Sequence, residues 1–227
     1  MVTRASCLDE LAAAIVAAQL DHPTRVAIDG VDGSGKTTLA DELVDPIRRA
    51  GRDVIRGSVD GFHNPRAVRY TRGPDSPEGY FLDSFDYGAL KRELLEPLGP
   101  TGHRSFRTAV FDYRSDRAVE TPPRLAGRDA VLLFDGVFLL RPELDGLWDV
   151  RIWLDVPFEV TVERAVVRDA RNGGIDPGEV RDKYARRYVP GQRLYLDRAR
   201  PSERADIVLN NQDLEHPTLR FRNPRTV

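Results

Sequence analysis

The chain has 227 residues, 41% of them hydrophobic and 31% charged, with a formal net charge of −2 and one cysteine. That composition suits a single domain with a packed core, and the slight negative charge argues against a nucleic-acid partner, which usually requires a basic excess. One cysteine, Cys7, excludes an internal disulfide or a cysteine-based zinc cluster; no apolar run, that at residues 130–134 included, approaches the about 20 residues of a membrane span; and no signal-peptide pattern opens the chain, so a cytoplasmic location is expected.

In chain order, residues 8–20 read as an alanine-rich amphipathic helix, and residues 25–29 as a short apolar strand that runs directly into a glycine-rich stretch. A helix is predicted over 37–50, stopped by Gly51, and a second strand over 53–59, ending at Asp60-Gly61-Phe62. Residues 63–83 are rich in Pro, Gly, Arg and Asp and read as a long connection, the kind that is usually functional or mobile. Helix is expected over 86–95 and strands over 130–134 and 150–154, with Asp135-Gly136 closing the first of these strands. Helices at 157–171 and 182–198 are rich in arginine, and residues 206–209 form a last strand. Short apolar strands alternating with helices predict a mostly parallel sheet covered on both faces. No internal repeat or linker divides the chain, so residues 1–227 are expected to form one domain, with a candidate lid over about 164–204.

The glycine-rich stretch is Gly30-Val31-Asp32-Gly33-Ser34-Gly35-Lys36-Thr37-Thr38, which fits G-x-x-x-x-G-K-[ST] at every fixed position, with a strand before it and a helix after it. The glycines let successive backbone N–H groups converge on phosphate oxygens, and the following helix adds its positive end. Lys36 is one of only three lysines in the chain. It is expected to reach the β- and γ-phosphates of ATP, and Thr37 to offer its hydroxyl to Mg²⁺. The expected fold is a three-layer α/β/α P-loop NTPase with a helical lid.

The remaining candidates follow from this placement. Ligands in open α/β sheets bind beyond the carboxyl ends of the strands. Asp60, at the end of the second strand, is therefore placed to orient and deprotonate an acceptor hydroxyl, although an aspartate before glycine also caps turns. Asp135 is a candidate metal ligand on the same ground. His63 is either a substrate contact or a loop histidine. Arg164, Arg168 and Arg171 share a helix face; this is either a solvated stripe or a source of charge on the triphosphate, with Arg168 and Arg171 favoured. Arg186, Arg187 and Gln192 are further candidate contacts. Trp148 and Trp153 are expected to pack. No Asn-Lys-x-Asp stretch for guanine is present, which argues against a GTPase switch; a non-catalytic nucleotide-binding regulator stays open as a different class.

Asp60-Gly61-Phe62, one βαβ unit beyond the phosphate loop, resembles the acceptor-side motif of the phosphoribulokinase, uridine kinase and bacterial pantothenate kinase family. The resemblance covers most of the chain. Phe111-Asp112-Tyr113 resembles the segment that touches the base in uridine kinases. Leu133-Phe134-Asp135-Gly136-Val137 resembles the strand end near their metal, with aspartate in place of glutamate. Glu163-Arg164 through Arg168-Asp169 and Arg171 resembles the lid helix, and Ala205-Asp206-Ile207-Val208 the final strand. Asp83-Ser84-Phe85-Asp86 approaches the second half of an Asn-Phe-Asp-x-Pro-Asp-Ala-Phe-Asp run. The family histidine after Tyr-Asp-Phe has no counterpart; Asp116 stands near its place. The resemblance implies an ATP- and Mg²⁺-dependent kinase that phosphorylates uridine or cytidine, with His63, Asp83, Asp86, Phe111, Tyr113 and Gln192 as acceptor contacts. Residues 30 and 32–38 with Arg171 would hold the nucleotide. Asp60-Gly61-Phe62-His63-Asn64-Pro65 and Pro77-Glu78-Gly79-Tyr80 also resemble pantothenate kinases, so a pantothenate-like or sugar-like acceptor is the alternative.

Overall fold

The computed structural model describes residues 3–222. Its centre is a six-stranded sheet made from the apolar runs: β1 (Thr24–Gly30), β2 (Val54–Ser58), β3 (Val131–Gly136), β4 (Val150–Asp155), β5 (Ile207–Asn210) and β6 (Thr218–Phe221). The spatial order is β6-β5-β4-β1-β3-β2. All pairs are parallel except β5–β6. β1 and β3 are buried along their whole length, as the central strands of a sheet covered on both faces must be.

Alternation along the strands sorts side chains between two layers. Val26, Ile28, Leu133 and Ile152 pack with Cys7, Leu11 and Ile15 of α1 (Arg4–Ala17), Leu39 of α2 (Lys36–Glu42) and Ile47 of α3 (Val44–Arg49). Ala27, Leu132, Phe134 and Trp153 face the other way, toward Phe62, Phe81, Phe138 and Tyr195. Trp148 lies beside Phe134 and donates its indole N–H to Leu139 O at 3.0 Å. The chain steps from β1 out to β2, returns to β3, and then crosses β1 to reach β4. A crevice therefore opens at the carboxyl ends of β1 and β3.

Several predicted elements change in detail. The first helix starts earlier, at Arg4, because Thr3 and Ser6 form a reciprocal cap. The helix expected over 37–50 is broken at Leu43 into α2 and α3; Pro46 has no N–H to give to the preceding turn. The connection 63–83 holds two short helices, α4 (Arg66–Arg69) and α5 (Pro77–Asp83). The guanidinium of Arg187 donates to Pro74 O at 2.6 Å and Gly73 O at 3.3 Å, which pins this connection to the protein. The helix over 86–95 is α6 (Tyr87–Leu90) followed by a wider turn over Lys91–Leu95. Strand β6 was not anticipated.

The expected lid is not uniform. α7 (Phe158–Gly173) and α8 (Pro177–Lys183) share a small apolar cluster of their own, Ala165, Val166, Val180 and Tyr184. α9 (Val189–Ala199), by contrast, places Tyr195 and Ala199 in the main core. Among the described residues no helix is long and apolar enough to cross a membrane.

Candidate active site

The phosphate loop leaves β1 at Gly30 and enters α2 at Lys36, with Gly33 at φ 78° and Gly35 at φ 96°. Both angles lie where a side chain is strained. At Gly33 a Cβ would in addition fall 2.3 Å from Thr161 O of α7. Lys36 is largely buried, and its ammonium donates to Val31 O at 2.9 Å, across the loop. Asn211, fully buried just after β5, donates its side-chain N–H to Ser34 O at 2.7 Å and so braces the loop from below.

Two cavities flank this loop. The outer one, about 470 Å³, lies between the loop, Arg164 of α7, Arg4 of α1 and the chain around Leu214. Arg164 donates to Asn211 O at 3.1 Å and Gln212 O at 2.8 Å. Arg4 donates to Glu42, Asn211 and Leu214 O. The inner cavity, about 460 Å³, lies over the ends of β2 and β3 and is lined by Asp32, Asp60, His63, Tyr80, Tyr113, Asp135, Tyr184 and Tyr188. Gly33, Lys36, Thr37 and Arg168 line both. A group held in the outer cavity therefore meets a group held in the inner one at Lys36 and Thr37 of the loop motif, at Gly33 between its fixed positions, and at Arg168 of α7.

Asp60 sits in the turn Val59–Phe62, entered through Ser58. Its side chain is 59% exposed on the cavity side, but protein surrounds it elsewhere. That desolvation raises its pKa; His63 and Lys36 oppose the shift, while the charges of Asp32 and Asp135 add to it. His63 donates from Nδ1 to Asp60 O at 3.0 Å. Its ring lies between those of Phe85, at 4.5 Å, and Tyr113, at 4.7 Å, tilted to both. Burial there lowers its pKa and favours the neutral imidazole. Asp135 is buried and accepts from the Thr37 hydroxyl at 2.7 Å, while its other oxygen pairs with Arg56 at 2.9 Å. Arg168 donates to Asp169 at 2.7 Å and to the Tyr184 hydroxyl at 3.3 Å. Desolvation is the largest single influence and works against its charge, but the Asp169 hydrogen bond together with the charges of Asp169, Tyr184 and Asp32 outweighs it and the pKa is raised.

Of the residues singled out from the sequence, Lys36, Thr37, Asp60, His63, Tyr113, Asp135 and Arg168 come together around the inner cavity. Others do not. Arg171 is exposed on the last turn of α7 and lines neither cavity. Asp83 pairs with Arg72 at 2.8 Å, Asp86 caps α6 by accepting from Ala89 N at 2.8 Å, and Phe111 sits in a two-residue ladder with Ala118. None of these three lines the cavity; the two carboxylates serve a local ionic and a local backbone need instead. Gln192 is buried behind the loop and bonds Asp32. The sequence reading missed Tyr80, Tyr184 and Tyr188 in the inner wall, Arg56 behind Asp135, and Asn211 and Arg4 in the outer wall. The Asn210-Asn211 pair closing an apolar strand was the one local signal for Asn211.

A family model described as the phosphoribulokinase / uridine kinase family matches residues 26–214. A uridine kinase of Lactobacillus helveticus is 26% identical over 202 residues, covering 84% of this chain and 88% of that protein. A solved structure described as a possible uridine kinase from Bacillus stearothermophilus superposes with a TM-score of 0.69 at 26% identity, covering 88% of this chain and 96% of that one. D-glycerate 3-kinase from Cryptococcus neoformans gives the same TM-score, 0.69, at 12% identity over 95% of this chain and 99% of that one, a likeness of fold alone.

Proposed function

The chain belongs to the phosphoribulokinase/uridine kinase family, and from that premise we propose that it transfers the γ-phosphoryl group of ATP to the primary hydroxyl of a nucleoside, uridine or cytidine. The observation that carries this reading is the pair of cavities that share Gly33, Lys36, Thr37 and Arg168. In a phosphoryl transfer, donor and acceptor approach in line from opposite sides of one group, and catalysis is mostly positioning and charge stabilisation.

In this reading the nucleotide occupies the outer cavity with its phosphates on the loop, and Lys36 and Arg168 carry the charge that develops on the transferring group. Asp60, open to the inner cavity, holds the acceptor hydroxyl and takes its proton. Thr37 and Asp135 present two hard oxygen donors 2.7 Å apart, a set that suits Mg²⁺. These two residues would hold the ion, which when bound supplies further charge neutralisation. The adjoining rings of His63 and Tyr113 and the tyrosine wall give a planar base an aromatic surface. The α7–α8 unit, with its small separate core, closes over the site and keeps water from the phosphoryl group.

The test is ADP release by the purified chain with ATP and Mg²⁺, acceptor by acceptor. Uridine or cytidine should stimulate release, and pantothenate and simple sugars should not. Turnover with pantothenate or a sugar while both nucleosides stay inert would overturn the nucleoside assignment. Nucleotide binding with no acceptor-dependent release at all would leave a nucleotide-binding regulator.

A further inference from the structure

Four carboxylates line the inner cavity: Asp32, Asp60, Asp135 and Asp169. Two have a cationic partner and a third lies beside a histidine. Asp135 pairs with Arg56 at 2.9 Å, Asp169 with Arg168 at 2.7 Å, and Asp60 lies 3.9 Å from the His63 ring. Asp32 differs. Among the described residues its hydrogen-bond partners are neutral, and they hold it closely. The Tyr80 hydroxyl donates to Oδ2 at 2.6 Å and the Gln192 amide to the same oxygen at 3.3 Å, while the backbone N–H of Asp32 donates to Gln192 Oε1 at 2.8 Å. Tyr80 and Gln192 are both buried, the latter 1% exposed. Oδ1 has no hydrogen-bond partner among the described residues.

A carboxylate inside a phosphate-binding loop opposes the anion that the loop is built to hold, and a neutral residue would avoid that repulsion. Here the carboxylate is instead held through Oδ2 by two neutral donors, on the wall of the inner cavity. The cations that line the cavity do not offset it for a second ligand. Lys36 and Arg168 are shared with the outer cavity, and Arg114 stands at the rim against Tyr113.

We propose that Asp32 is a specificity-determining residue: with Asp60 it makes the inner cavity a two-point receptor for a neutral, polyhydroxylated acceptor. Asp60 takes the hydroxyl that is phosphorylated and Asp32 Oδ1 accepts from a second hydroxyl of the same molecule. Acceptors carrying a carboxylate are disfavoured by the paired negative charges, most strongly where, as in glycerate, the carboxylate adjoins the reacting hydroxyl. The proposal rests on the kinase reading of this site and narrows its acceptor class. A nucleoside, with two ribose hydroxyls beside the 5′ one, meets the requirement; pantothenate and glycerate, as anions, do not.

The experiment measures kcat/KM at saturating ATP for the wild type and Asp32→Asn with uridine, cytidine, 2′-deoxyuridine, 3′-deoxyuridine, ribose, fructose, D-glycerate and pantothenate. In the wild type a neutral acceptor should be the best substrate, and removal of one of its further hydroxyls should cost about 10- to 100-fold, the span of a hydrogen bond to a charged group. Asp32→Asn should shrink that discrimination to within about 3-fold and narrow the gap between neutral and anionic acceptors, with the KM for ATP moving by less than about 3-fold; these bounds are an order below the loss expected for one charged hydrogen bond. If uridine and cytidine are inert but ribose or fructose is phosphorylated, the nucleoside assignment falls while this proposal stands, and the same comparison is made with 2-deoxyribose or a deoxyfructose. The proposal is overturned if D-glycerate or pantothenate is the best acceptor, if no neutral acceptor turns over, or if Asp32→Asn lowers every acceptor by the same factor, which would make Asp32 a prop of the loop. Should Asp32→Asn not fold, Tyr80→Phe keeps the carboxylate but frees its orientation. It should lose part of the hydroxyl discrimination; full retention would overturn the proposal.

Discussion

The buried carboxylate of Asp29, at the end of β1, accepts a hydrogen bond from the hydroxyl of Tyr195 on α9. The same carboxylate accepts from the backbone N–H groups of Gly30, at 2.7 Å, and of Leu139 and Leu140, each at 2.9 Å. One side chain thus ties the phosphate loop, the segment after β3 and a core helix together, next to the strained backbone of Phe138 at φ 66°. Burial pushes the Asp29 pKa up to about 6, against the pull of the Tyr195 and backbone hydrogen bonds.

That shift predicts a pH dependence of stability. The folded state holds the Asp29 proton more tightly than the unfolded chain does. Stability from this group is therefore fully present below the unfolded carboxylate pKa of about 4, and is lost as pH rises through about 6. A shift of this size in a fully buried group corresponds to about 3 kcal/mol. Denaturant midpoints of the wild type and Asp29→Asn across pH 4 to 7 should diverge in that direction, with the variant lacking the Asp29 component. Parallel curves would mean that Asp29 keeps an ordinary pKa.

Lys36→Ala should lower kcat/KM by about 10³-fold, the upper span for removal of one preorganised charge on a reacting group. Lys36 is largely buried and bonded only within the loop, so a thermal melt should stay cooperative. Wild-type turnover in a folded variant would remove the loop from the chemistry.

Asp60→Asn should lower kcat by about 10²- to 10⁴-fold, the range for loss of a general base, with little change in ATP binding. A base must be ionised, so activity falls as pH drops through its folded pKa. Because desolvation raises the pKa of Asp60, the acid limb of the kcat/KM profile should lie above that of an ordinary carboxylate, and it should vanish in the variant. An acid limb that is the same in both proteins would assign it to another group.

Arg168→Ala should depress kcat far more than it weakens ATP binding, because its charge is needed where negative charge develops late. Arg171→Ala is the internal comparison. It lies on the same helix but is exposed and outside both cavities, and its loss should be small. Equal small losses at the two positions would return Arg168 to a solvated arginine face.

The sequence by itself determined the features whose cause is local. The glycine spacing of residues 30–38 points to a phosphate-binding turn, because glycine takes the positive φ found at Gly33 and Gly35 without strain. The apolar runs at β1 and β3 require burial on both faces, and from these a parallel sheet with Asp60 and Asp135 at its carboxyl edge follows. What the tertiary structure decided is which side chains share a space and which are already satisfied. Asp83 and Asp86 read as acceptor carboxylates beside Asp60, yet an arginine eleven residues away and a helix cap claim them. Tyr80, Tyr184 and Tyr188 carry no motif and reach the inner cavity only because α5 packs against α9 and the turn before it. Asn211 and Asp32 acquire their roles from partners 177 and 160 residues distant. Hydrogen-bond satisfaction and burial depend on contacts distant in sequence, whereas periodicity and backbone conformation are set within one or two turns, and the division between the two follows that boundary.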